Sequence, residues 1–409
     1  MARKNRYLVG LDVGTSKIAT IVGELTAEGG LDVVGVGTEE SEGIRQGVVV
    51  NFEVAVRAVD RSIKEAEQTA GIEIDRVILG LSGTHIKGFN SRGVVSVAGK
   101  NREIFTEDVG RAIEAARDIA VPNGREILDV GVQDFVVDEQ DGITNPVGMT
   151  GSRLEVNVHI VTGSASSKQN IVACVNQAGV KVQDTVLEQL AASESVLTTD
   201  EKELGVALVD IGGGTTDFTV FERGSIWHTG VIAIGGDHFT NDLAVSLRTP
   251  IPDAEKLKQR AGCAFAALVD EEDMVEVPSI GGRAPRNMPK KLLAEVLQPH
   301  AEDVFHHLWD EISRSGYERS LHAGVVLTGG GSKLEGMAEI AEQIFDRPVR
   351  RGFPDGVGGL ADHVQDPSFA TAVGLAMYVN RHDTAAPQFG LGIFSGWRDR
   401  FGRILREFF

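Results

Sequence analysis

The first 83 positions alternate between short apolar runs and polar turns, and one stretch of helical spacing lies among them. The apolar runs predict strands at 7–13, 18–24, 31–37 and 77–83. Residues 52–70 instead carry apolar side chains at helical spacing, namely Val54, Val59, Ile63 and Ala66. Strands and a helix in this order indicate an α/β lobe.

The pattern changes at about residue 84 and the lobe resumes at about residue 163. The intervening block begins with glycines and predicts a helix near 106–119, for which Thr106 is a suitable N-cap. Two strands are predicted after this helix, at 126–138 and 154–161. This block therefore reads as an insertion within the first lobe.

A helix at 166–178 follows the insertion, and a second lobe begins near Leu204. In this second lobe, two helical stretches at 239–262 and 289–314 flank a polar loop at 270–288. The chain as a whole is thus predicted to be an α/β protein with two lobes.

One aspartate lies in a glycine-flanked turn at the start of each lobe, Asp12 within 11–17 and Asp210 within 209–217. An apolar run precedes and follows each turn, which predicts a hairpin and not the strand-to-helix turn of a P-loop. Turn glycines let backbone N–H groups approach an anion, and a carboxylate can hold a hydrated Mg²⁺. Two such hairpins, one from each lobe, predict a clamp for the phosphates of a nucleotide.

Composition excludes one class of partner. The chain has 409 residues, too many for one core, and its formal net charge is −19. Because phosphate backbones bind basic surfaces, we expect no nucleic acid as the main partner. The sequence contains no stretch of 18 or more apolar residues, so it predicts no membrane-spanning helix.

The end of the chain predicts an amphipathic helix at 394–409, after a linker at 381–393 that has no periodicity. Its large apolar side chains fall within an arc of roughly 100° on a helix, and they are Phe394, Trp397, Phe401, Ile404, Leu405 and Phe408. Four arginines against two acidic residues make this segment basic, unlike the rest of the chain. We expect the helix to lie in the plane of an anionic membrane. The alternative is a last helix packed on the protein's own core or on a partner.

The two hairpins resemble the phosphate loops of the actin, Hsp70 and sugar-kinase superfamily, and three further motifs follow in that superfamily's order. Residues 188–194 resemble the first interdomain connector, 325–332 the adenosine loop, and 370–376 the second connector, where small residues allow helices to cross. The resemblance implies an actin-like two-lobed ATPase fold that binds ATP and Mg²⁺.

The same resemblance implies roles for individual residues. Asp12 and Asp210 would position Mg²⁺ through water. The β- and γ-phosphates would be held by Gly14, Thr15, Ser16, Lys17, Gly212, Gly213, Gly214, Thr215 and Thr216. The nucleoside would be held by Glu255, Lys258, Gly329, Gly330, Gly331 and Ser332. Glu188 and, beside it, Gln189 would position the attacking water, but related bacterial actins usually have proline in place of Gln189, so we expect at most a slow ATPase.

The inserted block resembles the relocated 1C subdomain of the FtsA family of cell-division actin homologues, and this resemblance extends over essentially the whole chain. It implies a first lobe (1A) made of 1–83, 163–203 and 345–380, a 1C subdomain at 84–162, and a second lobe (2A and 2B) at 204–344. The implied protein polymerises on the cytoplasmic side of the inner membrane at the division site and tethers FtsZ. The FtsZ C-terminal peptide would dock near Arg286, and other division proteins on 84–162.

Three alternatives of the same superfamily remain. A pilus-assembly adaptor docks on a partner's tail and carries no amphipathic helix of its own. A small-molecule kinase needs a catalytic aspartate facing a closed substrate cleft, for which the sequence offers no distinct candidate. A chaperone of the Hsp70 type needs a peptide-binding domain after the second connector, where only about 30 residues follow here.

Overall fold

The computed structural model describes residues 7–98 and 101–384. In chain order the strands are β1 (Tyr7–Val13), β2 (Lys17–Leu25), β3 (Leu31–Glu40), β4 (Ile44–Arg45), β5 (Val48–Val49), β6 (Arg76–Leu81), β7 (Lys87–Ser96), β8 (Arg125–Val137), β9 (Gln140–Ile143), β10 (Arg153–Ser164), β11 (Lys181–Leu187), β12 (Val206–Ile211), β13 (Thr216–Glu222), β14 (Ser225–Ile232), β15 (Met274–Val277), β16 (Arg286–Pro289), β17 (Val325–Thr328), β18 (Val349–Arg351) and β19 (Val357–Gly359). The α-helices are α1 (Phe52–Ala70), α2 (Thr106–Arg117), α3 (Ala165–Gln177), α4 (Glu188–Val196), α5 (Thr199–Leu204), α6 (Gly236–Leu247), α7 (Ile251–Ala261), α8 (Lys290–Ser315), α9 (Met337–Phe345), α10 (Ala361–Val364) and α11 (Ala370–Thr384).

The first lobe is built on a six-stranded sheet with the order β11-β6-β1-β2-β3-β19. Strands β1, β2 and β3 form an antiparallel meander, and β6 runs parallel to β1. Alternate residues of β1 and β2 face opposite sides of this sheet, so α1 covers one face and α11 the other. Asn51 caps the N-terminus of α1 and left-handed Gly71 ends the helix.

The second lobe repeats this arrangement in a five-stranded sheet with the order β14-β13-β12-β17-β18. Again three antiparallel strands are followed by a parallel one, because β17 pairs with β12 as β6 does with β1. A core of aliphatic and phenylalanine side chains joins this sheet to helices α6 to α9. The predicted α/β architecture with two lobes is therefore confirmed.

The inserted block forms a sheet of its own with the order β7-β10-β8-β9, and α2 packs on one face of it. Its strands are antiparallel, and β10 pairs with β7 over 153–162 on one side and with β8 over 154–164 on the other. The block leaves the first lobe just after β6 and returns to it at α3. It is thus a compact unit attached to the first lobe at two neighbouring points.

The two connectors cross where small residues were expected. Helix α4 lies against α11, and Gly374 approaches the backbone of Ala191 so closely that any side chain there would collide with it. Ser195 donates a hydrogen bond to the carbonyl of Ala370 at 2.7 Å across the same crossing. These contacts form the joint between the lobes.

Several boundaries differ from the sequence prediction. The stretch 239–262 is two helices, because Pro250 cannot continue a helix and Arg248 takes a left-handed conformation. The predicted polar loop at 270–288 contains β15 and the start of β16, which pair as a two-stranded ribbon. Strand β18 pairs with β17 of the second sheet, so the return to the first lobe comes after residue 351 and not at 345.

The C-terminal end of the described chain is helical. Helix α11 runs to Thr384, so the first four residues of the predicted linker at 381–393 belong to this helix. The rest of that linker and the predicted amphipathic helix at 394–409 lie outside the described residues. Within the described ranges, every helix is too short or too polar to cross a bilayer.

Candidate functional site

The two Asp-Gly turns have the same construction. In the first lobe the Gly14 N–H donates to the Lys17 carbonyl at 3.1 Å, and in the second the Gly212 N–H donates to the Thr215 carbonyl at 2.9 Å. In each lobe the aspartate lies on the strand that leads into the turn. The sequence prediction of paired strand-turn-strand hairpins is confirmed.

The two turns also contact each other. A Cβ added to Gly213 would lie 2.8 Å from the Ser16 Cβ, and one added to Gly214 would lie 2.8 Å from the Thr15 hydroxyl oxygen. Neither approach is possible for a residue with a side chain, so these positions require glycine. The hairpins of the two lobes therefore meet directly.

A cavity of about 110 Å³ lies where the hairpins meet. Its walls include twelve of the residues predicted from the sequence, which are Asp12, Gly14, Thr15, Ser16, Lys17, Glu188, Asp210, Gly212, Gly213, Thr215, Gly329 and Gly330. Pockets for complete small ligands measure roughly 300–1,000 Å³. A cavity of this size is large enough for a phosphate group and too small for a whole nucleotide.

Four carboxyl groups line this cavity, those of buried Asp12 and Asp217 and of half-buried Glu188 and Asp210. Burial raises the pKa of Asp12 to about 7, of Asp210 to about 6 and of Asp217 to about 7. Burial also raises the pKa of Glu188 well above its ordinary value, and the charges of the three aspartates add to this effect. The negative charge of these four carboxyl groups is therefore poorly compensated by their surroundings, and the cavity favours the binding of a cation.

Lys17 supplies a positive charge beside these carboxyl groups. Its ammonium donates to the Ser368 carbonyl oxygen at 2.8 Å and to the Ser368 hydroxyl at 3.0 Å, and it lies 3.5 Å from the centre of the Phe369 ring. Burial lowers the pKa of Lys17 to about 8, although the charge of Asp12 opposes this shift. Lys17 is thus held in place by the two residues that precede the second connector, and it lines the cavity.

The carboxylates fit a hydrated divalent cation. Across residues 7–98 and 101–384, no three acidic, histidine or cysteine side chains are grouped as direct ligands of one ion. Mg²⁺ keeps most of its waters and usually takes few carboxylates, so an ion held through water by Asp12 and Asp210 suits this donor set. The neighbouring hydroxyl of Thr371 donates to Asp210 at 2.9 Å and fixes that carboxylate.

Five predicted residues lie near the cavity without lining it. The Thr216 hydroxyl donates to the Ile234 carbonyl at 2.8 Å, and the Ser332 hydroxyl donates to Gly329 at 2.7 Å, so both support the loops. Gly214 and Gly331 allow close backbone packing. Gln189 is fully buried, and its amide finds no partner among the described residues.

Glu255 and Lys258 pair on one face of α7, as their spacing predicted, with 2.7 Å between the ammonium and the carboxylate. The Lys258 ammonium also donates at 2.8 Å to the Gly236 carbonyl and to the Thr240 hydroxyl. Gly236 is the first residue of α6, and its N–H donates to the Gly212 carbonyl in the turn of the second hairpin at 2.9 Å. The pair is thereby fixed at the edge of the cleft.

The structure adds residues that the sequence did not reveal, namely Val13, Gly47, Ser82, Asp217, Pro367, Ser368 and Thr371. Asp217 stands directly opposite Asp210 in the β12–β13 hairpin, so the hairpin register could have identified it. Its carboxylate accepts hydrogen bonds at 2.9 Å from Thr215 and from Ser82 of the first lobe. Ser368 arrives from a distant loop and had no local signal.

Arg286 lies at the start of β16, in the ribbon next to α8. Its guanidinium donates to the Leu247 carbonyl at the end of α6. The partner contact predicted for Arg286 stays a prediction, and the membrane residues predicted at 394–409 lie outside the described part of the chain.

Comparisons with solved structures show the fold. The chain matches the structure titled "PilM-PilN type IV pilus biogenesis complex" with a TM-score of 0.65 and 17% identity, over 91% of this chain and 98% of that one. It matches the ADP-bound MreB5 of Spiroplasma citri with a TM-score of 0.55 and 13% identity, over 93% and 99% of the two chains. The architecture is therefore actin-like.

Comparisons of sequence show the family. The model described as "Cell division protein FtsA" matches residues 207–374, and the one described as "SHS2 domain inserted in FTSA" matches 83–162. "Cell division protein FtsA" of Pseudomonas aeruginosa is 49% identical over 92% of this chain and 90% of that protein. The protein of the same name from Escherichia coli K12 is 40% identical over 92% and 91% of the two chains. The expected family is confirmed: this chain belongs to the FtsA family of cell-division proteins and has an actin-like fold.

Proposed function

We propose that this protein binds ATP with Mg²⁺ between its lobes, polymerises on the cytoplasmic face of the inner membrane at the division site, and tethers the FtsZ ring there. The observation that carries the proposal is the pair of contacting Asp-Gly hairpins, which surround a cavity lined by four carboxyl groups. Family membership supplies the division role, because the relatives are named as cell-division proteins.

The cavity residues have distinct roles in this proposal. Backbone N–H groups and hydroxyls of the two turns bind the phosphates, and Lys17 contributes a positive charge to them. Asp12 and Asp210 hold Mg²⁺ through water, and Mg²⁺ when bound offsets the charge of the phosphates. Glu255 and Lys258, together with the loop at 329–332, hold the nucleoside.

We propose slow hydrolysis at this site. Glu188 is the residue best placed to orient water, because it lines the cavity at the start of α4. Burial and the three neighbouring aspartates raise its pKa, as suits a general base, so the expected slowness rests on its neighbour and not on Glu188 itself. Gln189, next to it, does not line the cavity, so the chain offers little further help to hydrolysis.

Two external partners complete the proposal. The amphipathic segment at 394–409 binds anionic lipid, and the FtsZ C-terminal peptide docks near Arg286 and the following helix α8. The pilus adaptor and the small-molecule kinase become weaker alternatives, because the similarity to the pilus protein concerns the fold alone at 17% identity. The sequence relatives at 40–49% identity are all named as division proteins.

A sedimentation assay tests the tether. Vesicles containing anionic lipid should sediment FtsZ when the full chain and ATP are present. Trp397→Glu should abolish this, because burying a carboxylate in the acyl boundary costs several kcal/mol. A chain ended after Thr384, where α11 ends, should behave like this variant and still bind nucleotide. FtsZ sedimentation that persists with both variants would contradict the proposed tether.

A further inference from the structure

The inserted subdomain packs on the second lobe as well as on the first. The face of its sheet opposite α2 lies against β14, the edge strand of the second sheet. At the centre of this contact Gly88 approaches Thr229 so closely that a side chain at position 88 would collide with the threonine hydroxyl. The subdomain therefore bridges the lobes at a place separate from the phosphate cavity.

Hydrogen bonds form the centre of this contact. The buried imidazole of His159 is 2.7 Å from the Asn90 amide oxygen through Nδ1 and 2.9 Å from the Thr229 hydroxyl through Nε2. The Asn90 amide also donates to the Tyr317 hydroxyl of the second lobe at 3.0 Å. Because Asn90 and His159 belong to the insertion, both hydrogen bonds to Thr229 and Tyr317 cross between the two bodies.

Gln133 on β8 adds two more hydrogen bonds across the contact. Its amide nitrogen donates to the Ile226 carbonyl at 3.0 Å, and its backbone carbonyl accepts from the Ser225 hydroxyl at 3.2 Å. These partners lie on β14, as Thr229 does. Gln133 is buried and its amide nitrogen also donates to the Asn90 amide oxygen at 3.2 Å, so losing Ile226 would leave one of its two N–H groups unsatisfied.

The strength of this contact depends on the geometry of its hydrogen bonds more than on charge. Burial lowers the pKa of His159 to about 3, and the neighbouring imidazole of His228 adds to this shift, so the ring is neutral near pH 7. Neutral hydrogen bonds are directional, and they weaken quickly when the groups move apart. A contact of this kind distinguishes two relative positions of the bodies more sharply than an apolar surface would.

Both sides of the contact connect directly to the phosphate cavity. On one side, β14 pairs with β13, whose first residue Thr216 follows the second phosphate turn and lies opposite Ile232. On the other side, the insertion begins immediately after Ser82, which donates to Asp217 across the cavity at 2.9 Å. A change in the angle between the lobes must therefore move the two halves of the His159 contact relative to each other.

We propose that the contact of His159, Asn90 and Gln133 with β14 and Tyr317 is a clasp that closes together with the nucleotide cleft. The clasp stabilises the closed lobes, and bound nucleotide in turn holds the inserted subdomain against the second lobe. Thermodynamic linkage requires this reciprocity, and typical coupling changes affinity by roughly 5- to 150-fold. The inference rests on the nucleotide binding proposed above. It adds that the position of the inserted subdomain at 84–162 depends on whether nucleotide is bound.

The test combines nucleotide affinity with hydrogen exchange in Thr229→Val and Tyr317→Phe. Each variant removes one hydroxyl from the clasp and retains the shape of the side chain. We expect Mg²⁺-ATP affinity to fall about 3- to 10-fold, and exchange of β7 and β14 amides to quicken and lose its dependence on nucleotide. Thr229→Ser keeps the hydroxyl and should behave as the unaltered chain.

Asn157→Ala is the matched control. Asn157 lies two residues from His159 on β10, but its amide donates to Asp134 within the inserted sheet at 2.6 Å. It should leave Mg²⁺-ATP affinity within twofold. Unchanged affinity in both clasp variants, with binding intact in the unaltered chain, would overturn the clasp alone. Absence of binding in the unaltered chain would overturn the proposed nucleotide site and the clasp together.

Discussion

At the scale of single residues, the carboxyl groups that line the cavity destabilise the folded protein when no cation is bound near them. Asp217 is protonated more readily in the folded state than in the unfolded chain, because burial raises its pKa from 3.8 to about 7. Below the unfolded pKa this group does not disfavour folding. As the pH rises from about 4 to about 7, the unfolded chain gains stability by releasing the proton, so the folded state loses relative stability.

Replacing Asp217 by Asn should therefore stabilise the protein without nucleotide, by on the order of 1–3 kcal/mol at pH 8 and by less at pH 5. Mg²⁺-ATP affinity should fall, since the same change removes a negative charge from the cation site. Urea denaturation at both pH values measures the first effect, and Asp60→Asn on α1, a half-buried carboxylate paired with Lys64, serves as the control. A destabilised Asp217→Asn protein at pH 8 would show that the carboxylate's hydrogen bonds outweigh its burial.

The sequence was informative about those residues whose chemistry is local. Asp12 and Asp210 were predictable because glycines flank them in a hairpin turn. Ser82 and Ser368 were not, since each reaches the cavity from an element whose position depends on sheet order and on the path of a loop. Gln189 was expected to help orient water, but the helical turn carries its side chain away from the cavity walls.

At the scale of elements, the contact between the two phosphate hairpins depends on glycine. Gly213→Ala would place a methyl group 2.8 Å from the Ser16 Cβ, so the hairpins must separate. We expect Mg²⁺-ATP affinity to fall at least tenfold and unfolding free energy to change by less than about 1.5 kcal/mol, because the site lies between lobes and not within a core.

Gly236→Ala is the control for this prediction. The added methyl group would be 3.4 Å from the flexible end of Lys258, which is an ordinary contact. Calorimetric titration with ATP and Mg²⁺ should show near-normal affinity for this variant. Equal affinities for Gly213→Ala and the unaltered chain would mean that the turns need not touch when nucleotide binds.

Most helices and strands followed from periodicity, and the failures have physical causes. Helical spacing continued through 239–262, yet Pro250 divides it into α6 and α7. The sequence pattern did not predict the ribbon of β15 and β16, because its strands are only four residues long and at least half of their residues are exposed. Apolar runs identify strands buried on both faces far more readily than short strands at a surface.

At the scale of the whole molecule, contacts between the lobes include three that lie beyond the touching hairpins. The connectors cross at α4 and α11, Ser82 meets Asp217 at the cavity, and the inserted sheet contacts β14. The sequence predicted the first through its small residues. Contacts of the inserted sheet with the second lobe depend on how separate bodies pack, which local patterns do not encode.

The arginines of the segment at 394–409 belong to this scale, because in our proposal this segment attaches the whole protein to a membrane surface. Replacing Arg400, Arg403 and Arg406 with Gln should weaken binding to anionic vesicles by about 1 kcal/mol per charge. Binding to neutral vesicles should change little, and high salt should reduce the difference. An equal loss on both kinds of vesicle would mean that the arginines act through packing.

Calorimetric titration of the full chain with ATP and Mg²⁺, compared with Asp210→Ala, tests the nucleotide clamp most directly. The unaltered chain should bind, and the variant should lose at least tenfold in affinity because the charge that holds the hydrated cation is gone. Asp60→Ala on α1, which removes a carboxylate paired with Lys64 and not one that lines the cavity, should bind within twofold of the unaltered chain. Undiminished binding by Asp210→Ala would contradict a clamp built from the two hairpins.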